Sequence, residues 1–166
     1  MMVIAIAGTL MAVAVPALID LSESSKLNTA SRAIERELQM ARLKAVSTNR
    51  LMRVRLNCPA AGYFRTVEVL GNVLDAASDR CVLTAYPFPA ADTELATRPN
   101  NDGPLRILGE GATVTSAVIE FRPDGTAAEV VSDLAQNIGT SVSIMVTRRE
   151  KSRTVSINGA GRVQLQ

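Results

Sequence analysis

The chain has 166 residues and a mild net charge of +2, and it contains no histidine, no tryptophan and only 3% aromatic residues. Without histidine there is no Ser-His-Asp triad, no imidazole base and no imidazole metal ligand, and two cysteines are a poor start for a four-ligand zinc site. The scarce aromatics leave little with which to stack single-stranded bases.

Apolar residues make up 47% of the chain and are unevenly placed, and the first 19 positions hold no charged residue. Charge is segregated as well. Lys26 to Arg55 holds eight basic residues against Glu35 and Glu37, positions 59 to 140 hold five basic against eleven acidic, and five basic residues face Glu150 alone from Ser141 onward.

The opening run MMVIAIAGTLMAVAVPALI lacks the basic n-region of a cleaved signal peptide and continues into a helical pattern without interruption. At about 1.5 Å per residue it nearly spans a hydrocarbon core of roughly 30 Å, so residues 1–20 are expected to be a retained transmembrane half-helix. Pro16 lies inside it, tolerated in a membrane helix and expected to bend it. From Asp20 to Arg50 there is no glycine or proline. Leu18, Leu21, Ala30, Ala33, Ile34, Leu38, Ala41 and Ala45 recur at three- and four-residue steps, with Arg32, Glu35, Arg36, Arg42 and Lys44 mostly between them. Residues 21–50 therefore read as the amphipathic half of one long helix with a narrow stripe of small apolar side chains. Arg32, Arg36, Arg42 and Lys44 have two readings: a solvated face, or a partner for Asp75, Asp79, Asp92 and Glu94 of a neighbouring subunit.

Past Arg50 the period changes to two. Strands are expected at Leu51–Leu56, Phe64–Val69, Cys81–Tyr86, Leu105–Leu108, Thr113–Phe121, Thr126–Val131, Val142–Thr147, Arg153–Ile157 and Arg162–Leu165. Turn chemistry separates them at Cys58-Pro59, Pro99 to Gly103, Arg122-Pro123-Asp124-Gly125 and Asn158-Gly159-Ala160-Gly161. Residues 51–166 thus form a β-rich domain, and the fold class is α+β: a long N-terminal helix packed on an antiparallel sheet domain. Cys58 and Cys81 lie 23 positions apart. In a reducing cytoplasm they read as two buried thiols; outside it they read as a disulfide, whose loop would stabilise the fold by roughly 3 kcal/mol.

This arrangement resembles the type IV pilin-like proteins and, more narrowly, the FimT/GspH group of minor pseudopilins. The resemblance is carried by the apolar run with Pro16 and the polar step from Ser22 to Asn28, by Leu38-Gln39-Met40-Ala41-Arg42, by Phe121-Arg122-Pro123-Asp124-Gly125-Thr126, and by the ending Val155 to Val163. Members of the group open with a basic leader and a cleavage-site glycine followed by Phe-Thr-Leu-Ile-Glu. The present sequence opens at what would be the residues just after that glutamate, and the expectation is a start assigned too late.

The resemblance implies a non-catalytic subunit without cofactor or small-molecule substrate. Such a subunit is held by one helix in the bacterial inner membrane, with its C-terminal domain in the periplasm. It joins other pilins or pseudopilins, through the helix, in a type IV pilus or a type II secretion pseudopilus, at or near the tip. Some members bind DNA through a Gly-Arg-x-Arg motif, half present here as Gly161-Arg162-Val163-Gln164. Arg148, Arg149, Lys151, Arg153 and Arg162 are the candidate phosphate contacts, with solvated hairpin charges as the plainer reading. A membrane-anchored binding module that never enters a filament is the rival class. Lys26, Lys44 or Lys151 with one of the many serines offers no placed Ser-Lys dyad, so an enzyme is not expected.

Overall fold

The structure, a computed structural model, describes residues 2–91, 98–109 and 111–166, with helix side chains described from Ile19 onward. Helix α1 is continuous over Met2–Thr48, through Pro16 and across the boundary between its uncharged and amphipathic halves. It stops where Asn49 turns left-handed at φ 53°, a conformation asparagine tolerates at a helix C-terminus, and Arg50 N–H closes the end on the Ala45 carbonyl at 3.2 Å.

Among the described residues ten strands follow: β1 (Met52–Leu56), β2 (Tyr63–Glu68), β3 (Arg106–Ile107), β4 (Ala112–Val114), β5 (Val118–Phe121), β6 (Ala127–Val131), β7 (Leu134–Asn137), β8 (Ser141–Arg148), β9 (Lys151–Asn158) and β10 (Val163–Leu165). They form two antiparallel sheets, one ordered β3-β2-β1-β5-β6-β7 and the other β10-β9-β8-β4.

The helix packs on both sheets. Its buried row is Leu27, Ala30, Ile34, Leu38, Ala41 and Ala45, at steps of three and four. The alanines bring the helix backbone close, while Ile34 and Leu38, both fully buried, fill the space between the sheets. Met52, Val54, Phe64, Ile119 and Phe121 meet them from one sheet, and Ile144, Val146, Val155 and Ile157 from the other. Each large side chain so enclosed contributes about 1.5–3 kcal/mol of transfer free energy.

Several expectations are corrected. Leu21 is 68% exposed, because it lies two positions from the buried Glu23 and so on the opposite side of the helix, and Leu27 begins the buried apolar row instead. Leu18 belongs to the residues whose side chains are not described. The expected strand Thr113–Phe121 is two strands in different sheets. At Thr115-Ser116-Ala117 the chain crosses over: Thr115 N–H donates to Met145 in one sheet (2.9 Å), and the Ala117 carbonyl accepts from Leu56 in the other (3.1 Å).

Cys81–Tyr86 is not a strand. Its N–H groups go to local turns, Val82 to the Asp79 carbonyl at 2.7 Å and Tyr86 to the Val82 carbonyl at 2.9 Å. Strand β7 has no counterpart among the expectations: all four residues are exposed, so the apolar alternation that marks a strand is missing. A turn with Ser132 and Asp133 both left-handed, at φ 50° and 64°, folds it back onto β6.

Candidate functional site

The outward face of α1 carries Met40, Leu43 and Val46, 57%, 64% and 51% exposed, at three-residue steps above the fully packed inner row. Grooves flank this ridge. One runs beside Gln39 and Arg42 toward the turns at Gly125 and Gly161; the other runs beside Lys44 toward Thr66, Pro104 and Arg106. An apolar ridge between two grooves is a shape that another helix or ridge can interdigitate with.

Arg42 fixes the rim of the first groove. Its Nε donates to the Gly125 carbonyl at 3.0 Å and its Nη2 to the Ala160 carbonyl at 3.2 Å. Arg42 therefore meets turns of its own domain, neither merely solvent nor a neighbour's acids. The β5–β6 turn closes through Gly125 N–H to the Arg122 carbonyl (2.9 Å) and Arg122 N–H to the Thr126 carbonyl (2.9 Å). Asp124 Oδ1 accepts from the Thr126 hydroxyl at 2.7 Å and its N–H at 2.9 Å. The hydrogen bonds from Thr126 hold the Asp124 carboxyl below the usual carboxylate range. Gly161, at φ 72°, lies so close to this turn that a Cβ there would sit 2.1 Å from the Gly125 carbonyl oxygen. Glycine is required by both its conformation and the close approach.

At the other end of the domain the β8–β9 hairpin tip meets α1 where the helix departs. Arg148 Nε donates to Glu23 Oε2 at 2.5 Å, and Arg149 Nε lies 3.7 Å from the same oxygen. Lys26 Nζ lies 3.6 Å from Glu23 Oε1. Lys151 Nζ donates to the Ser24 hydroxyl at 3.0 Å and to Asp20 through its carbonyl (3.3 Å) and Oδ1 (3.4 Å). The Arg148 hydrogen bond holds the Glu23 carboxyl below the usual range, with the charges of Arg148, Arg149 and Lys26 acting in the same direction.

A third cluster lies under residues 70–91 and 98–104, on the sheet face away from α1. Arg65 and Arg80 are fully buried there with Asp102 between them. Arg80 is paired with Asp102 through both carboxylate oxygens, and also donates to the Glu68 carbonyl at 2.9 Å. Its guanidinium stacks on the Tyr86 ring at 4.5 Å. Arg65 Nε donates to the Gly103 carbonyl at 2.8 Å, and its Nη2 is 3.7 Å from Asp102 Oδ2. Burial lowers the Arg65 pKa from its usual value, opposed by the charge of Asp102. The buried Glu68 carboxylate accepts the N–H groups of Asn100 and Asn101, each at 2.9 Å. Cys58 and Cys81 are joined by a disulfide that ties this segment to the end of β1.

The five candidate phosphate contacts fall into two groups. Arg148, Arg149 and Lys151 gather at the hairpin tip with the helix carboxylates, and Arg153 is exposed two positions along β9. Arg162 lies beyond the far end of β9, roughly 24 Å away at about 3.4 Å per residue, on the rim of the first groove. Among the expected acidic partners, Asp75 caps a local turn by accepting from Leu70 and Gly71 N–H at 2.8 and 2.7 Å. Asp92 and Glu94 lie outside the described residues. The sequence reading did not single out Asp20, Glu23, Arg65, Arg80 or Asp102. Isolated charges carry no periodic signal, and only the tertiary fold brings these together. Among the described residues no group of three or more Cys, Asp or Glu side chains is placed to hold a metal ion.

The family model for type II transport protein GspH matches residues 30–161, which covers α1 from Ala30 onward, strands β1 to β9 and the Arg42-clamped turns. The chain belongs to the GspH family. Its fold is shared by solved structures, among them the following two. The crystal structure of the type IV minor pilin FimU from Pseudomonas aeruginosa matches this GspH-family chain with a TM-score of 0.53 at 18% identity, over 88% of this chain and 92% of that one. The minor pseudopilin EpsH from the Type 2 Secretion System of Vibrio cholerae matches with a TM-score of 0.50 at 9% identity, over 85% and 96%. At these identities the likeness is one of fold. No curated protein matches the GspH-family chain significantly.

Proposed function

We propose that this GspH-family chain is a non-catalytic minor pilin or pseudopilin, which joins a type IV pilus or a type II secretion pseudopilus at or near its tip. The observation that carries this reading is the exposed row Met40, Leu43 and Val46 on a helix whose opposite face is fully packed. A subunit that stood alone gains nothing from three large apolar side chains presented to water between two grooves, whereas a subunit packed among others buries them.

Before assembly, the uncharged first 19 residues hold the subunit in the inner membrane, with the domain in the periplasm. Among the described residues no helix is long and apolar enough to cross a membrane; the membrane reading rests on the sequence of the first 19. The Cys58–Cys81 disulfide suits an oxidising compartment. The same helix then serves as the surface through which the subunit meets other pilins, with Arg42 keeping the domain in fixed rotation about it.

A photo-crosslinking amino acid at Leu43, in cells expressing the complete assembly system, tests this. The expected result is a covalent adduct with another pilin-like subunit that is recovered in sheared filaments. Adducts confined to the membrane fraction, with none in filaments, would instead identify a membrane-anchored module that never enters one.

A further inference from the structure

We propose that the β8–β9 hairpin tip is a docking surface for anionic phospholipid headgroups, used while the subunit is held in the membrane. The inference rests on the membrane reading of residues 1–19 given above and adds a partner for a different part of the molecule. Asp20 is the first charged residue of the chain. When the preceding residues occupy the hydrocarbon core, Asp20 stands at its edge. Lys151 is bonded to Asp20 and to Ser24, one turn further along the helix, so the tip is fixed at the depth of the headgroups.

The tip has the charge that this position calls for. Lys26, Arg148, Arg149, Lys151 and Arg153 face Asp20, Glu23 and Glu150, five cations against three anions. Arg148 is spent on Glu23, both side chains being about one-tenth exposed. Arg149 and Lys26, 67% and 56% exposed, keep donors turned outward, while Lys151 gives its three donors to Asp20 and Ser24 and serves as the seat. Arg149 sits at the apex of the turn with φ 52°, in the left-handed region where glycine or asparagine is the usual occupant. A guanidinium at that apex projects from the tip with a fork of donors that matches a phosphodiester. Lysine and arginine near a membrane surface are drawn to anionic lipid, by about five-fold in equilibrium constant per engaged cation.

The test uses the full chain with Ser152→Cys, an exposed position at the tip whose labelling leaves every charge in place. Cys58 and Cys81 are already joined, so the new thiol alone takes an environment-sensitive fluorophore. The protein is reconstituted into vesicles of phosphatidylcholine, alone or with one third phosphatidylglycerol, and quenching by headgroup-level spin-labelled lipid is read. The expected result is stronger quenching with phosphatidylglycerol, corresponding to about a five-fold shift toward the docked tip for each cation engaged. That difference should vanish in high salt and in the variant Arg149→Glu with Lys26→Glu, which leaves the seat of Lys151 on Asp20 and Ser24 in place. Equal quenching in the two lipid mixtures, measured with the native charges, overturns the proposal without reference to any variant, and so does a difference that survives high salt. Protection of the label by short duplex DNA combined with indifference to phosphatidylglycerol also overturns it, in favour of a nucleic-acid surface. Failure of the chain to float with either vesicle would instead remove the membrane reading itself, and the docking proposal with it.

Discussion

The two faces of the β1–β2 pair are both buried, and by opposite means. Toward α1, Met52, Val54, Leu56 and Phe64 build an apolar core with the helix row. One residue along each strand, on the other face, stand Arg53, Arg55, Arg65 and Val67. Arg55 lies directly across from Arg65, a like-charge pairing that opposes the sheet by itself. The charged face is tolerated because residues 70–91 and 98–104 bring Arg80 and Asp102 over it, Arg53 finds Glu120 at 2.7 Å, and the disulfide ties that cover down. The apolar face works with any well-shaped hydrocarbon; the charged face works only while each ionic partner is in place. The two should therefore respond differently to truncation.

The largest expected effect is on the charged face. Asp102→Ala leaves Arg65 and Arg80 buried without their shared anion and should destabilise the full chain by about 3–5 kcal/mol in urea unfolding. Replacing Arg80 and Asp102 together by apolar residues of similar volume should recover much of that loss. If the double replacement is as costly as the single one, the cluster owes its stability to packing rather than to charge pairing.

On the apolar face, Leu38→Ala removes a fully buried side chain from between the sheets and should cost about 2–5 kcal/mol, depending on how far the site collapses. No second change should rescue it in the way the double replacement rescues Asp102→Ala. Reduction of the disulfide comes next. With a sequence separation of 23, the chain-entropy account gives a loss of about 3 kcal/mol. The loss should appear as faster hydrogen exchange in residues 70–91 and 98–104 before the helix-facing strands are affected. Uniform acceleration across both faces would show that the cover and the core unfold as one unit.

The same contrast explains what the sequence could reveal. Ala30, Ile34, Leu38, Ala41 and Ala45 announce a packed helix because their spacing matches its turn, and Met52, Val54 and Leu56 announce a strand because apolar and polar residues alternate along it. These signals report the apolar face. The charged face leaves none: Cys81 to Tyr86 is rich in β-prone side chains and reads as a strand, yet it is held in turns by the anchoring of Cys81 to Cys58 and of Arg80 to Asp102. The crossover at Thr115 to Ala117 carries no glycine or proline to mark a break, and β7 has no buried residue to mark it. Of the candidate surface, the glycine turns were legible from turn chemistry. The clamp on them by Arg42 was not, since 83 positions separate it from Gly125 and 118 from Ala160.

The smallest expected effect lies outside both faces, at the ionic contact between Glu23 and the hairpin tip. The Glu23 carboxyl titrates lower in the folded chain than in the unfolded one, chiefly because Arg148 donates a hydrogen bond to the charged form. A carboxyl with a depressed folded pKa contributes stability that is present above its unfolded pKa and is lost as pH falls through the folded value. The hairpin should therefore stay seated on the helix through the neutral range and loosen only in acid below the ordinary glutamate range. Glu23→Gln removes the ionised form, so its stability difference from the native chain should be largest at neutral pH and shrink in acid. Hydrogen exchange at the tip, residues 147–152, measured across that range reads this directly. A difference that stays constant with pH would show that Glu23 acts there by packing rather than by charge, and that the tip is seated by the contacts of Lys151 with Asp20 and Ser24.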